Sequence, residues 1–464
     1  MIDGAKLTGF KASLRGDLIL PGDESYERER KVYNGMIDRR PAMIAKCADV
    51  ADVISAVNFA RDNNILLSIR GGGHNAGGLG VCDDGLVIDL SRIRYTQIDP
   101  VKKTIRVGGG STWGDVDHAT NAFGFATPSG IISTTGVGGL TLGGGVGHLS
   151  RKYGLSIDNL IEADIVLANG KLIKTNLQEN KDLFWAIRGG GGNFGVVTSF
   201  LFKLNRLKNV YAGPMLWEMD RAAEVMKWYD NYIRKAPEDI NGFFAFLTVP
   251  PGEPFPEHLH FKKMCGVIWC YTGPESKAEK TFEPIRKLKP AFEMIGIMPF
   301  PMLQSIFDPL LPPGLNMYWK ADFIKDLPVE AINLSVEHAR LLPTLLSLVH
   351  FYPINGVAAK RGKKDTAFSY RDAVYAMVIV GVDPDPVNNE IITKWTRDYY
   401  DAFHKFSAGG AYVNFMMDDE GDERIKATYR ENYNRLARIK KRYDPKNLFR
   451  TNQNIKPTSK IKAA

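Results

Sequence analysis

The sequence predicts an α+β protein of two domains, and three observations carry that reading. Short β-like runs, hairpin turns and helical stretches follow one another without a strict strand–helix–strand alternation. Of 45 glycines, 27 fall between Gly71 and Gly195. The text then changes character after about Leu207, where glycine thins out and longer segments begin. Glycine at such density marks backbone at positive φ or backbone that something must approach closely.

Taken in chain order, Val50, Val53, Ile54, Val57 and Ala60 recur at helical spacing, and Asn63-Asn64 end that helix. ILLSIR (65–70) reads as a strand that stops at Gly71-Gly72-Gly73-His74. GLVIDL (85–90) and TIRVGG (104–109) read as further strands, and Trp113, Val116, Thr120 and Phe123 form the stripe of a helix. ADIVLANGKLIKT (163–175) is a hairpin turning at Asn169-Gly170. Beyond Leu207, GFFAFLTVP, CGVIWCYTG and AVYAMVIVGV predict strands, with helices near 221–234 and 388–406. These predict an antiparallel sheet with helices on one face, spanning 208–410. The last segment, 411–464, carries AYVNF as a strand, a helix around 422–442, and YDPKNLFRTNQNI.

Composition removes several classes of function. With 44% hydrophobic and 24% charged residues, the 464-residue chain has an ordinary globular profile with no apolar run long enough for a bilayer. The opening residues lack a long apolar segment, which predicts no secretory leader. Four cysteines are too few for a disulfide framework, so a cytoplasmic location is expected. The net charge of +8 is dispersed except between Arg424 and Lys462, where thirteen Lys or Arg face two acids. That stretch predicts a solvated helix face, attraction for an anionic cofactor being the second reading, and no nucleic-acid partner is expected.

Several motifs are weighed and set aside. Gly190, Gly192 and Gly195 match GxGxxG, but they follow LFWAIR rather than the first strand of a dinucleotide-binding unit. His258 and His260 lack a third ligand, Cys265 and Cys270 should point to opposite faces of a strand, and no metal site is expected. No nucleophile elbow supports serine hydrolase chemistry. Three glycine clusters remain, at 71–73, 136–147 and 189–195. Peptide N–H groups unshielded by side chains can cradle a pyrophosphate, while turns alone would also use glycine.

SIRGGGHNAGG (68–78), GVGGLTLGGGVGHLSRKYGLSIDN (136–159), LFWAIRGGGGNFGVVT (183–198) and YDPKNLFRTNQNIKP (443–457) resemble, in order, the signature segments of FAD-linked oxidases. More closely, they resemble the berberine-bridge-enzyme-like branch of the vanillyl-alcohol-oxidase family. The resemblance implies the two-domain PCMH-type FAD-binding fold, with 1–207 and 411–464 forming the flavin domain and 208–410 the substrate domain. It implies that His74 bonds covalently to the flavin. The cysteine that provides a second anchor in many relatives is Ile132 here, so attachment through His74 alone is implied, similar to bacterial hydroxynicotine oxidases. Arg70, Gly71, Gly72, Gly73, Asn75, Gly78, Gly138, Gly139, Gly143, Gly144, Gly145 and Gly147 would line the cofactor. Ser133, Thr134, Asp158 and Asn414 would bind it as well, and Asn452 and Gln453 would close over it. Thr135 takes the position that shapes oxygen access, which favours an oxidase over a dehydrogenase.

Tyr412 is the implied catalytic base, and the alternative is a tyrosine merely hydrogen-bonded at a domain seam. Tyr370 and Arg371 in FSYRDAVY are second candidates, with core packing or an ion pair as their other reading. The implied activity is hydride removal from an alcohol or amine of a small molecule, with O2 as acceptor and H2O2 as product. A dehydrogenase with another acceptor and a flavin-binding paralogue without turnover are the rivals. A monomer or homodimer without a membrane partner is expected.

Overall fold

The computed structural model describes residues 3–459; residues 1–2 and 460–464, which include the lysines Lys460 and Lys462 of the basic stretch, lie outside the described residues. A four-stranded sheet is ordered Asp17–Ile19, Met43–Lys46, Leu86–Asp89, Leu67–Arg70. Its first pair is antiparallel, whereas Leu86–Asp89 runs parallel to both of its neighbours. The helix Val50–Asp62 crosses between two of these strands, started by Asp49, whose carboxylate accepts the N–H groups of Ala51 and Asp52. Its Val53, Ala56, Val57 and Ala60 bury against Leu67, Leu86 and Ile88. This local strand–helix–strand unit departs from the sequence reading. The strand Met43–Lys46 is buried along nearly its whole length, so it carries no period-two alternation by which to find it.

A second sheet, all antiparallel, is ordered Thr96–Asp99, Thr104–Gly108, Val196–Lys203, Leu160–Val166, Leu172–Asn176. Its outer hairpin turns where Asn169-Gly170 predicts, with Gly170 at φ +78°.

Residues 209–383 supply an eight-stranded antiparallel sheet. Its centre runs Asn209–Glu218, Lys263–Tyr271, Ile240–Thr248, Leu348–Pro353, Tyr375–Asp383, Asn316–Ile324. The helices Ala222–Lys235, Ala278–Arg286, Val329–Ala339 and Asn389–Phe403 cover one face, packing Tyr229, Phe282, Ile332 and Tyr399 around Trp217, Phe244 and Trp269. Strand alternation sends Phe243, Ile268, Tyr352 and Val378 to the other face, where they join the core of the first 207 residues. Cys265 and Cys270 fall on opposite faces for the same reason. Trp217 and Trp269 are core residues of the helix side, while Trp319 is only partly buried.

Two C-terminal expectations fail locally. The helix expected over 422–442 is two helices, Gly421–Tyr429 and Tyr433–Tyr443, broken at Arg430 with φ +48°. Arg430 leaves helical geometry to lie 3.4 Å from the ring centroid of Tyr370 and to donate to Asp372 at 2.6 Å. AYVNF is not a strand; Val413–Phe415 forms one 3-10 turn. Tyr412 and Asn414 still come together, because the Asn414 amide donates to the Tyr412 hydroxyl at 2.7 Å.

Candidate active site

A cavity of about 300 Å³ opens between two walls of contrasting chemistry. One wall is backbone: Gly71, Gly72, Gly73, Gly109, Gly136, Gly138, Gly139, Gly191 and Gly192 border it. The other is the inner face of the eight-stranded sheet.

The backbone wall begins where the strand Leu67–Arg70 ends. Arg70 is held at its end by Asp89, the guanidinium Nε donating at 2.7 Å. The chain then leaves the sheet through three glycines. A Cβ on Gly72 would sit 2.4 Å from the Gly136 nitrogen, and one on Gly136 would sit 2.3 Å from the Gly72 nitrogen. Only two bare residues permit that crossing. Among the described residues, the peptide N–H groups of residues 71–75 have no hydrogen-bond partner. Five consecutive residues with free donors on a cavity wall are the raw material of an anion-binding concavity. Gly139, also on this wall, has no atom within 4 Å of where its Cβ would be.

His74 follows directly and is half-buried. The Tyr33 ring stacks on it at 3.8 Å between centroids, and the Thr134 hydroxyl meets Nε2 at 2.9 Å. Burial pushes its pKa down to about 4, so the ring is neutral at physiological pH. Ile132 and Thr135 also border the cavity.

Tyr412 and Asn414 sit where the two walls meet. The Tyr412 oxygen accepts from the Gly145 N–H at 2.8 Å, the Val146 N–H at 3.3 Å and the Asn414 amide. Burial, the largest influence, outweighs those three donors and raises its pKa to about 12, so the phenol keeps its proton at neutrality.

The sheet wall is built by strict alternation: Met317 and Trp319, then Leu348, His350 and Tyr352, then Val378, Val380 and Val382. At the C-terminal end, Asn452 and Gln453 close the cavity beside Thr451. The Gln453 amide donates to the Met417 carbonyl at 2.6 Å. The Asn452 amide donates to the Gly192 carbonyl at 3.2 Å, which leaves the Asn452 Oδ1 buried without a partner. The Thr451 hydroxyl, Trp319 Nε1 and Tyr429 hydroxyl are orphaned in the same way around the cavity.

Thus Arg70, Gly71, Gly72, Gly73, His74, Asn75, Thr135, Gly138, Gly139, Tyr412, Asn414, Asn452 and Gln453 border one cavity. Other expected site residues do not. Asp158 and Arg371 form a bidentate pair at 2.7 and 2.8 Å, 3% and 2% exposed, with Arg371 also held by the Ala358 carbonyl and Thr366 hydroxyl. They pin the fold away from the cavity wall. Tyr370 stacks on Phe323 at 4.4 Å and donates to the Ala427 carbonyl at 3.0 Å, which makes it a packing residue.

Ser133 is turned to Asp308, which its N–H meets at 3.0 Å and its hydroxyl also reaches. Thr134 contacts His74 without bordering the cavity. Gly78 is buried in a turn closed onto the Asn75 carbonyl at 3.0 Å. The second glycine cluster divides at its middle. A Cβ on Gly143 would strike the Asn414 amide at 2.0 Å, and one on Gly145 or Gly147 would strike Ser156 or the Ser129 carbonyl. Gly144 lies 3.1 Å from the Tyr412 ring by the same measure. Gly143 and Gly144 make room for the Tyr412 turn, and Gly145 and Gly147 for Ser156 and the backbone at 129–130, instead of for the cavity.

Sequence reasoning missed Tyr33, Asn193, His350 and Tyr352, and named the 189–195 cluster without singling out Gly191 and Gly192. The third glycine cluster was a visible signal for Gly191 and Gly192; nothing near Tyr33 marked it.

Comparison with known proteins agrees with this geometry. Residues 41–176 match the model of an FAD binding domain, and residues 411–456 match one described as berberine and berberine like. An FAD-linked oxidoreductase of Dictyostelium discoideum is 32% identical over 454 residues, covering 97% of this chain and 96% of that protein. The (R)-6-hydroxynicotine oxidase of Paenarthrobacter nicotinovorans is 28% identical, covering 96% of this chain and 97% of its own. The structure of 6-hydroxy-D-nicotine oxidase from Arthrobacter nicotinovorans superimposes with a TM-score of 0.85 at 26% identity, over 96% of this chain and 99% of that one. With one segment of the FAD-binding type, another of the berberine-like type and relatives matched end to end, this chain belongs to the FAD-linked oxidoreductase family.

Proposed function

We propose that the protein is an oxidase that carries FAD bonded through His74 alone and oxidises a small alcohol or amine, with O2 as acceptor and H2O2 as product. The observation that carries this reading is the run of unpartnered peptide N–H groups at 71–75 ending against a neutral, cavity-facing imidazole. The free donors suit the pyrophosphate, and the open face of Gly139 suits a flat ring at van der Waals distance. A neutral imidazole keeps a ring-nitrogen lone pair with which His74 would hold the flavin covalently, whereas Ile132, at the cavity wall, has no nucleophilic atom.

FAD, when bound, supplies a two-electron acceptor; the chain supplies orientation and electrostatics. Residues 1–207 and 411–464 hold it, and the sheet of 208–410 roofs the substrate. Tyr412, protonated at neutral pH, acts as a hydrogen-bond donor or positioning group at the seam instead of as a resident phenolate. Thr135 and the oxidase names of the relatives support oxygen as acceptor. The four cysteines, all free and buried, are in keeping with a cytoplasmic protein acting as monomer or homodimer. Among the described residues no helix is long and apolar enough to cross a membrane.

The test is acid precipitation of the purified protein. Yellow colour should stay with the wild-type pellet and leave the pellet of His74→Ala. A colourless protein that takes up no FAD would overturn the reading. Turnover in air against turnover with a dye under nitrogen then separates an oxidase from a dehydrogenase.

A further inference from the structure

The sheet wall of the cavity carries two polar side chains in an apolar field, the unpartnered Trp319 indole N–H being fully enclosed. Met317, Trp319, Leu348, Val378, Val380 and Val382 present hydrocarbon or ring surface, and His350 and Tyr352 stand among them. No carboxylate borders the cavity among the described residues, and its single cation, Arg70, is already bound to Asp89. His350 Nδ1 lies 2.6 Å from the Tyr352 hydroxyl. The other ring nitrogen, Nε2, has no partner among the described residues, and it is not among the fully enclosed orphan atoms.

We propose that His350 and Tyr352 are the polar end of an otherwise apolar substrate chamber. The substrate is then an uncharged, largely apolar alcohol whose single hydroxyl bonds to this pair, and neither a sugar nor a cationic amine. The inference rests on the oxidase reading above and narrows its substrate.

The chemistry follows from counting partners. A neutral His–Tyr pair joined through Nδ1 has two arrangements. In one, Nδ1–H donates to the tyrosine oxygen, leaving a lone pair on Nε2 and the phenolic proton for a ligand. In the other, the phenol donates to Nδ1 and Nε2 carries the proton. Either way the pair has a place for one hydroxyl. Burial holds His350 neutral, with its pKa pushed down to about 3, and keeps Tyr352 protonated. A sugar brings a hydroxyl on almost every carbon, and the valines would leave most of them desolvated and unpaired. An ammonium group would find no carboxylate. The pair also joins the Tyr412 side of the cavity, because Phe415 lies 5.5 Å from Tyr352 and 4.8 Å from Tyr412 between ring centroids.

The test uses the yellow holoenzyme and a probe that binds without turnover. 2-Naphthol has the ring and the hydroxyl but no carbinol hydrogen to lose; naphthalene lacks the hydroxyl. Dissociation constants come from perturbation of the flavin absorption band. We expect 2-naphthol to bind about tenfold more tightly than naphthalene. In Tyr352→Phe and His350→Gln that advantage should shrink to about twofold, with the naphthalene constant unchanged and cellobiose failing to compete. A purely structural role would move both constants together. Equal binding of the two probes by the wild type, survival of the hydroxyl advantage in both variants, or tighter binding of cellobiose would each overturn the proposal. The wild-type ratio decides even where a variant fails to fold. A colourless protein would count against the oxidase reading, whereas a yellow one without hydroxyl-dependent binding counts against this inference alone.

Discussion

The two walls of the cavity recognise by opposite means. The glycine wall works by what is missing: side chains are absent, peptide N–H groups are left without partners, and two backbones cross at Gly72 and Gly136. The sheet wall works by what is added, since strand alternation delivers eight side chains from three neighbouring strands. Binding by bare backbone constrains sequence tightly, because even a methyl group closes the approach. Binding by a strand face constrains only every second residue, and many apolar side chains serve equally well. A shared cofactor matched to the first wall and a variable substrate matched to the second is the division this predicts.

Substitutions that add one methyl group should separate the two uses of glycine. Gly72→Ala forces a Cβ onto fixed backbone, so it should destabilise the protein by about 3–5 kcal/mol and abolish flavin retention together, read by thermal melting and by flavin content. Gly139→Ala meets no protein atom, so stability should stay within about 1 kcal/mol while flavin content falls. If Gly139→Ala keeps its full flavin, that stretch of wall does not touch the cofactor.

The Asp158–Arg371 pair lies outside both walls and sharpens the comparison from a third direction. Arg371→Ala leaves a buried carboxylate uncompensated and should lower stability by about 3–5 kcal/mol. The flavin spectrum of the folded fraction should be unchanged. A shifted spectrum would return the pair to the site.

Acid should act through two buried histidines, of which His350 stands on the sheet wall. His148 and His350 both have pKa values pushed down by burial to about 3, below the unfolded value near 6.5. The unfolded chain therefore binds protons first. Stability is complete above about pH 6.5 and falls as pH drops toward 3, by on the order of 1 kcal/mol per histidine per pH unit. In His350→Gln the slope of the melting temperature against pH over that window should be shallower. An unchanged slope would mean His350 is solvated. The smallest effect is reserved for a chelator. Among the described residues no cluster could hold a metal, and His260 is engaged with the Phe255 carbonyl, so EDTA should leave turnover unaltered.

The same contrast explains what the sequence made legible. The RGGGH segment and the C-terminal TNQNI could be placed at one site to single residues, and both border the cavity. The antiparallel sheet was legible from long apolar runs such as GFFAFLTVP, which are buried on both faces and so read as strands without alternation. His350 and Tyr352 were not, since a strand face of valines, leucines and one histidine reads as ordinary core. Asp158 and Arg371 were misassigned because charged residues in a signature segment suggest chemistry, while burial and bidentate geometry, invisible in sequence, make them a structural pin. Tyr412 was found for a partly mistaken reason: a 3-10 turn seated on small glycines, not a strand, brings it beside Asn414.

The central claim, a flavin held by bare backbone and bonded once, is tested most directly by mass spectrometry of the denatured holoprotein. The account predicts a chain heavier by one FAD, with the added mass confined to the peptide containing His74 and absent from His74→Ala. A denatured chain of unmodified mass, or the added mass on any other peptide, would contradict it.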